Sequence, residues 1–259
     1  PDNAGLLLSP GSGSVTIDSN VIRGNLAGAG DGGGIQLLSV NGEDATGNNC
    51  NKCYRVDIVN NMINNNVAGL AGGGIAMQDA VVVSIRNNTV AHNESTATTA
   101  LAFSPGVFNV TNPTPAGIVA RAHSTDFALA RAELFEGPVI SDSIIEHNRS
   151  FYWLNYDDPA TPAIETGLFP ASCADPIGTP TDPGCDLANV EEYTADLAVM
   201  DGPFTVADSV LVGTLDPQFS LLTNNADNAA YIGVNGNVTG DPGFVNGYFN
   251  GGLGNLNIT

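Results

Sequence analysis

Tyr152, Trp153 and Tyr156 stand beside Asp157 and Asp158, a grouping suited to sugar recognition. Aromatic faces stack on sugar rings, and carboxylates bond hydroxyls or hold calcium. The competing reading is an insertion that anchors itself with its own aromatics. A polysaccharide lyase would need a base beside a uronate carboxylate, and Arg86, Arg121, Arg131 and Arg149 are the candidates. None lies in a recognisable lyase motif, and a net charge of −20 opposes an anionic substrate unless calcium screens it. Glycoside hydrolysis would need two carboxylates a set distance apart. Asp157/Asp158 and Glu191/Glu192 are sequence neighbours, a poor sign of a facing pair. No catalytic residue is assigned, and the sequence leans away from an enzyme.

The remaining reactive side chains are three histidines and four cysteines. His92 and His147 each precede an Asn, Asn93 and Asn148. They hold equivalent repeat positions, also held by Gly24 and Asn65, which predicts surface corner residues up to several turns of the chain apart. His123 has Arg121 and Asp126 nearby and no nucleophile motif. The cysteines fall into Cys50/Cys53 and Cys173/Cys185, each pair inside one insertion. Local disulfides are the favoured pairing, although four cysteines allow three arrangements. Cys-Asn-Lys-Cys also has the spacing of a redox motif or half a zinc site. Disulfides would place the chain in an oxidising compartment, outside the cytoplasm.

The elements that must hold these groups come from a repeat. The pattern apolar-x-apolar-x-x-Asn-x-apolar-x-x-Asn fits Val15, Ile17, Asn20, Ile22 and Asn25. It recurs at Val56, Ile58, Asn61, Ile63 and Asn66, and at Val83, Ile85, Asn88, Val90 and Asn93. Weaker copies start at Pro138 and at Phe204. Apolar residues two apart mark a strand with one inward face. Asn tolerates left-handed backbone and bonds to nearby peptide groups, which suits the corners. A third strand follows Gly32-Gly33-Gly34 at Ile35-Gln36-Leu37 and Gly72-Gly73-Gly74 at Ile75-Ala76-Met77, with a fainter echo at Thr99–Phe103. The glycines allow a bend without side-chain cost. Three short strands per turn, each stacked on the next turn, predict an all-β parallel β-helix in which like residues pile on like residues. The step from Val56 to Val83 is 27 residues, a plausible single turn; the longer steps need insertions.

These Gly-Gly-Gly-Ile and apolar-x-x-Asn elements resemble the right-handed β-helix repeats of the pectin-lyase-like superfamily. In style they are similar to bacterial surface proteins, including passenger regions of polymorphic outer-membrane proteins. Gly240-Asp241-Pro242-Gly243-Phe244-Val245-Asn246 also resembles a segment near the end of such secreted domains. The resemblance implies a right-handed, three-sheet solenoid with long loop insertions. It carries little about activity, since that superfamily holds lyases, hydrolases, adhesins and scaffolds.

One β-helix domain over residues 1–259 is expected, with insertions at 39–55 and 149–200. Ala128–Phe135, rich in helix formers, reads as one short helix or equally as another coil with poor spacing. The chain starts at Pro1 and has strand-like ends, which reads as a piece of a larger secreted precursor. Its 27 acidic residues face 7 basic ones, the opposite of a nucleic-acid binder. No apolar run is long enough to span a membrane. The expectation is an extracellular or cell-surface module with a structural or adhesive role. Its partners would be flanking segments of its own precursor, other surface or matrix proteins, or a polysaccharide. No cofactor is expected; Ca2+ is the one ion the acidic balance could recruit, and no metal ligands are assigned.

Overall fold

Val56 and Ile58 are buried while the intervening Asp57 is half-exposed, as strand alternation requires. The computed structural model describes residues 8–47, 50–157, 164–171, 197–200, 215–224 and 228–244. Four strands form the first level: β1 (Val15–Asp18), β2 (Val21–Arg23), β3 (Leu26–Ala27) and β4 (Ile35–Leu38). The second level is β5 (Val56–Val59), β6 (Met62–Asn64), β7 (Val67–Ala68) and β8 (Ile75–Gln78). The third is β9 (Val83–Arg86), β10 (Thr89–Ala91), β11 (Glu94–Ser95) and β12 (Ile118–Arg121), followed by the helix α1 (Thr125–Arg131). The fourth is β13 (Val139–Ser141), β14 (Ile144–Glu146), β15 (Arg149–Asp157), β16 (Ile164–Pro170) and β17 (Leu197–Met200). β18 (Pro217–Gln218) and β19 (Leu221–Leu222) begin a fifth.

Corresponding strands pair in parallel from level to level. The sheets run β1-β5-β9-β13-β18, β2-β6-β10-β14-β19, β3-β7-β11-β15 and β4-β8-β12-β17. The chain is thus dominated by stacked parallel sheets with little helix, an arrangement consistent with a parallel β-helix. Four sheets take part, where three strands per turn were expected. The additional strand, β3 and its equivalents, is only two residues long at most levels, too short to show an alternating pattern.

The register places like on like. Ile17 faces Ile58, Ile58 faces Ile85 and Ile85 faces Ile140. Ile22, Ile63, Val90, Ile145 and Leu222 make a second column, and Ile35, Ile75, Ile118 and Leu197 align in a third. Ile58, Ile63, Ile75, Ile85, Ile118, Ile140 and Ile145 have no measurable exposure. Burial of each such side chain is worth about 1.5–3 kcal/mol.

Two polar ladders run beside these columns. Asn61 donates to Asn88 Oδ1 from its backbone N–H (2.9 Å) and its side-chain amide (3.0 Å), and the amide also reaches the Ile17 carbonyl (2.9 Å). Asn66 and Asn93 repeat this arrangement, and Asn93 continues it to Asn148. Ser143 and Ser220 replace Asn higher in the first ladder. The left-handed residue at each corner is the one before the ladder Asn: Ser19, Asn60, Asn87 and Asp142 at one corner, Gly24, Asn65, His92 and His147 at the other. The Asn of the repeat therefore serves as the bonding group and its predecessor makes the bend, a correction to the expected division of labour.

The glycine runs answer to crowding as well as bending. A Cβ on Gly33 would lie 2.6 Å from the Gly73 carbonyl, and one on Gly34 would lie 2.7 Å from the Gly74 carbonyl. Stacked chains approach there more closely than any side chain permits.

Three expected elements move. The third-level partner of β8 is Ile118–Arg121, while Ala100–Ala102 forms a turn of 3-10 helix. Helix α1 begins at Thr125, after Ser124, and ends where Ala132 turns left-handed (φ 62°), three or four residues earlier than composition suggested. The place beside β13 is taken by Pro217–Gln218; the copy starting at Phe204 lies outside the described residues.

Candidate functional site

β15 leaves the parallel stack after two residues. Arg149 and Ser150 pair with β11, then residues 151–157 pair antiparallel with β16. A further segment joins on the other edge. Thr111 N–H donates to the Trp153 carbonyl (2.9 Å), Trp153 N–H donates to Thr111 Oγ1 (2.7 Å), and Asn155 N–H donates to the Asn109 carbonyl (2.7 Å). The result is a small antiparallel flap on the flank of the stack.

The flap divides the aromatic group. Tyr152 is buried, with its ring tilted against Phe169 at 6.0 Å. Trp153 is half-buried and meets Phe103 edge-on at 5.9 Å. As consecutive strand residues the two lie on opposite faces, so they do not make one stacking platform. Tyr156 and Asp157 occupy strand positions opposite Glu165 and Ile164, and Asp158 lies outside the described residues. Phe108, in the adjoining loop, is 81% exposed, the most of any large apolar side chain among the described residues, with no repeat or motif to single it out.

Each arginine considered as a base has a carboxylate partner. Arg121 grips Asp31 through Nε (2.7 Å) and Nη2 (2.8 Å), tying the third level to the first across 90 residues. Arg131 holds Glu136 with two bonds of 2.6 Å. Hydrogen bonding to Glu136 raises its pKa above the ordinary value, outweighing burial. Arg149 pairs with Glu94 in the interior and lies 5.3 Å from the Phe151 ring centroid. Arg86 stands 3.6 Å from Asp57 on the surface. The Arg121, Arg131 and Arg149 pairs are structural clamps, and a buried one such as Arg149–Glu94 is costly to break because one charge would be stranded; the surface contact of Arg86 contributes little.

The histidines come closer together than their 55-residue separation suggested. β10 and β14 are neighbours, so His92 and His147 sit one level apart, their rings parallel within 7° and 5.5 Å between centroids. They border a cavity of about 650 Å³ together with Glu146, Thr223, Asn224 and Asp241. Position in the repeat could have suggested the pairing; the residues spent on the excursion between β11 and β13 hid it.

His123 lies beneath α1, edge-on to Phe127 at 4.8 Å, with Nδ1 3.5 Å from Asp79 Oδ1. Burial alone would push the Asp79 carboxyl up. The His123 imidazole and the Ser124 N–H and hydroxyl outweigh it and hold the pKa below its ordinary 3.8.

The Cys50–Cys53 disulfide is formed, with a Cα–Cα distance of 4.8 Å; Cys173 and Cys185 lie outside the described residues. Among the described residues, no three His, Cys, Asp or Glu side chains converge to hold a metal ion, and no helix is long and apolar enough to cross a membrane. Comparison with protein families, curated proteins and solved structures finds no match.

Proposed function

We propose that the chain is a right-handed parallel β-helix of the pectin-lyase-like kind, acting as a secreted or cell-surface structural and adhesive module. Its partners are flanking segments of its own precursor or other surface and matrix proteins, reached through lateral insertions. The observation that carries this reading is the contrast between the stack and the flap. The stack is held by matched columns and ladders, which suit a stiff support. The flap built on β15 and β16 stands on its flank beside the exposed Phe108. Two findings add support: the Cys50–Cys53 disulfide suits an oxidising compartment, and three of the four candidate basic residues are held in close, largely buried ion pairs.

Purified wild-type protein and a Phe108→Ser variant would be tested for retention on immobilised matrix proteins, alongside an assay for products released from a polysaccharide panel. Retention that the variant reduces, without product release, is expected. Release of reducing or unsaturated sugars would contradict the proposal.

A second reading, a carbohydrate-active or glycan-binding module, is favoured by the cavity beside the His92–His147 stack. Its imidazoles, carboxylates, hydroxyl and amide groups are of the kinds that bond sugar hydroxyls. A glycan array run with wild type, Glu146→Gln and Trp153→Ala separates the cavity from the aromatic segment. If no glycan is retained by the wild type, this reading is lost.

A further inference from the structure

Cys50 and Cys53 stand three positions apart and close a very small ring. The constraint a disulfide puts on the unfolded chain grows with the loop it closes, so this one restrains little beyond Asn51 and Lys52. Its role in the folded chain is also duplicated. The Cys53 N–H donates to the Cys50 carbonyl at 3.3 Å, which makes the same turn without sulfur. The Asp44 carboxylate accepts from the Asn41 amide (2.7 Å), the Gly42 N–H (2.8 Å) and the Tyr54 N–H (2.7 Å), joining the two arms of the insertion. The Gly47 carbonyl accepts from Arg131 at 2.6 Å, and Gly47 N–H donates to the Ala130 carbonyl at 2.9 Å, which moors the insertion to α1. None of these contacts passes through the S–S bond.

The two sulfur-bearing residues differ in their surroundings. Cys53 is buried with Ala45, Val81 and Phe127, whereas Cys50 is only partly covered by that cluster. Asn51 and Lys52, between them, are exposed. An incoming thiolate therefore approaches from the Cys50 side. The buried position also suits a reduced Cys53. A free thiol packs as a small apolar side chain, and the Asp44 carbonyl, 3.8 Å from Cys53 Sγ, is an acceptor for its S–H. Exposed disulfides are the ones that exchange, at rates set by access to the attacked sulfur.

We propose that Cys50–Cys53 is a reversible thiol–disulfide exchange site whose reaction partner is a dithiol. One thiolate of the dithiol attacks Cys50 Sγ. A mixed disulfide forms, the Cys50–Cys53 bond breaks, and Cys53 Sγ leaves as a thiolate that takes up a proton. The second thiolate of the partner then attacks the partner's own sulfur in the mixed disulfide. Cys50 Sγ is released as a thiolate and is protonated from water. The dithiol has become a disulfide and the protein pair has gained its two electrons; the reverse steps return them. This activity is separate from the flap and does not depend on what the flap binds.

The full chain would be equilibrated, without denaturant, in dithiothreitol at graded ratios of its reduced and oxidised forms, then quenched by alkylation. Peptide mass mapping separates Cys50 and Cys53 from Cys173 and Cys185. Expected is alkylation of Cys50 and Cys53 that rises with the reduced fraction and reverses when oxidised dithiothreitol is restored. A pair that opens only after the chain is unfolded overturns the proposal. The double variant Cys50→Ser/Cys53→Ser should keep the wild-type thermal midpoint; a variant that fails to fold, or melts well below wild type, shows that the bond is structural and likewise overturns it. Cys53→Ser and Cys50→Ser would each be challenged with oxidised glutathione. Cys50 should form the mixed disulfide about tenfold faster than Cys53, in keeping with its access. Equal rates, or faster capture at Cys53, would overturn Cys50 as the point of attack.

Discussion

At the scale of single residues, the ladder asparagines are distinguished from surface polar groups by what their removal strands. Asn88 accepts from the Asn61 backbone and amide and donates to the Ile58 carbonyl at 2.8 Å, all in the interior. Asn88→Ala leaves those groups unpaired away from water, so it should cost about 2–4 kcal/mol. Asn20, at the exposed first level, has water as a substitute, and Asn20→Ala should cost under about 1 kcal/mol. Urea unfolding of the two variants would check the contrast. Asp79 gives a pH dependence of definite sign. Its folded pKa lies below 3.8, so unfolding takes up the proton first. Its contribution is complete well above that value and disappears as pH falls through and below it. The stability gap between wild type and Asp79→Asn should be widest near neutrality and close on acidification below about pH 4, as read from denaturation midpoints across that range.

At the scale of elements, legibility followed strand length and composition. The columns through Ile17 and Ile22 could be read because Val, Ile and Asn recur at fixed offsets over three levels. The two-residue strands such as Leu26–Ala27 could not, since two residues carry no period. The third-level strand Ile118–Arg121 is separated from β11 by 22 residues; the intervening Thr99–Phe103, apolar at the expected spacing, stood in for it. The fifth level uses Leu215, Pro217, Ser220 and Leu222, where Pro and Ser dilute the pattern. Of the candidate site, the aromatics were visible as residue types, but strand alternation separates Tyr152 from Trp153, and only the pairing of β10 with β14 across 55 residues revealed the His92–His147 stack. The glycine runs were legible as bends, while the stacking contact that demands them was not. Gly33→Ala should accordingly destabilise the chain by about 1–3 kcal/mol through overpacking against the next level. Gly13, with open space around the position of a Cβ, provides a control that isolates its left-handed backbone cost. Thermal unfolding of both variants would test this.

At the scale of the whole molecule, the excess of 27 acidic over 7 basic residues sets the electrostatics. Four arginines are already engaged in ion pairs, and the excess of carboxylates that remains repels itself. That repulsion opposes the folded state and is screened by salt. Added sodium chloride should therefore raise the thermal midpoint, most steeply at low ionic strength; a fall would show that the surviving ion pairs outweigh the repulsion.

The central claim is the alignment of successive levels, and paired cysteines read it most directly. Asp57 and Ser84 are register partners on neighbouring strands β5 and β9, whereas Asp57 and Arg86 are two positions out of step. Neighbouring strands lie about 4.8 Å apart, within disulfide reach, while the offset pair falls beyond about 7 Å. Oxidation of an Asp57→Cys/Ser84→Cys variant should form the new cross-link readily, and Asp57→Cys/Arg86→Cys should not, as measured by peptide mass mapping. Equal yields, or a preference for the offset pair, would contradict the stacked register.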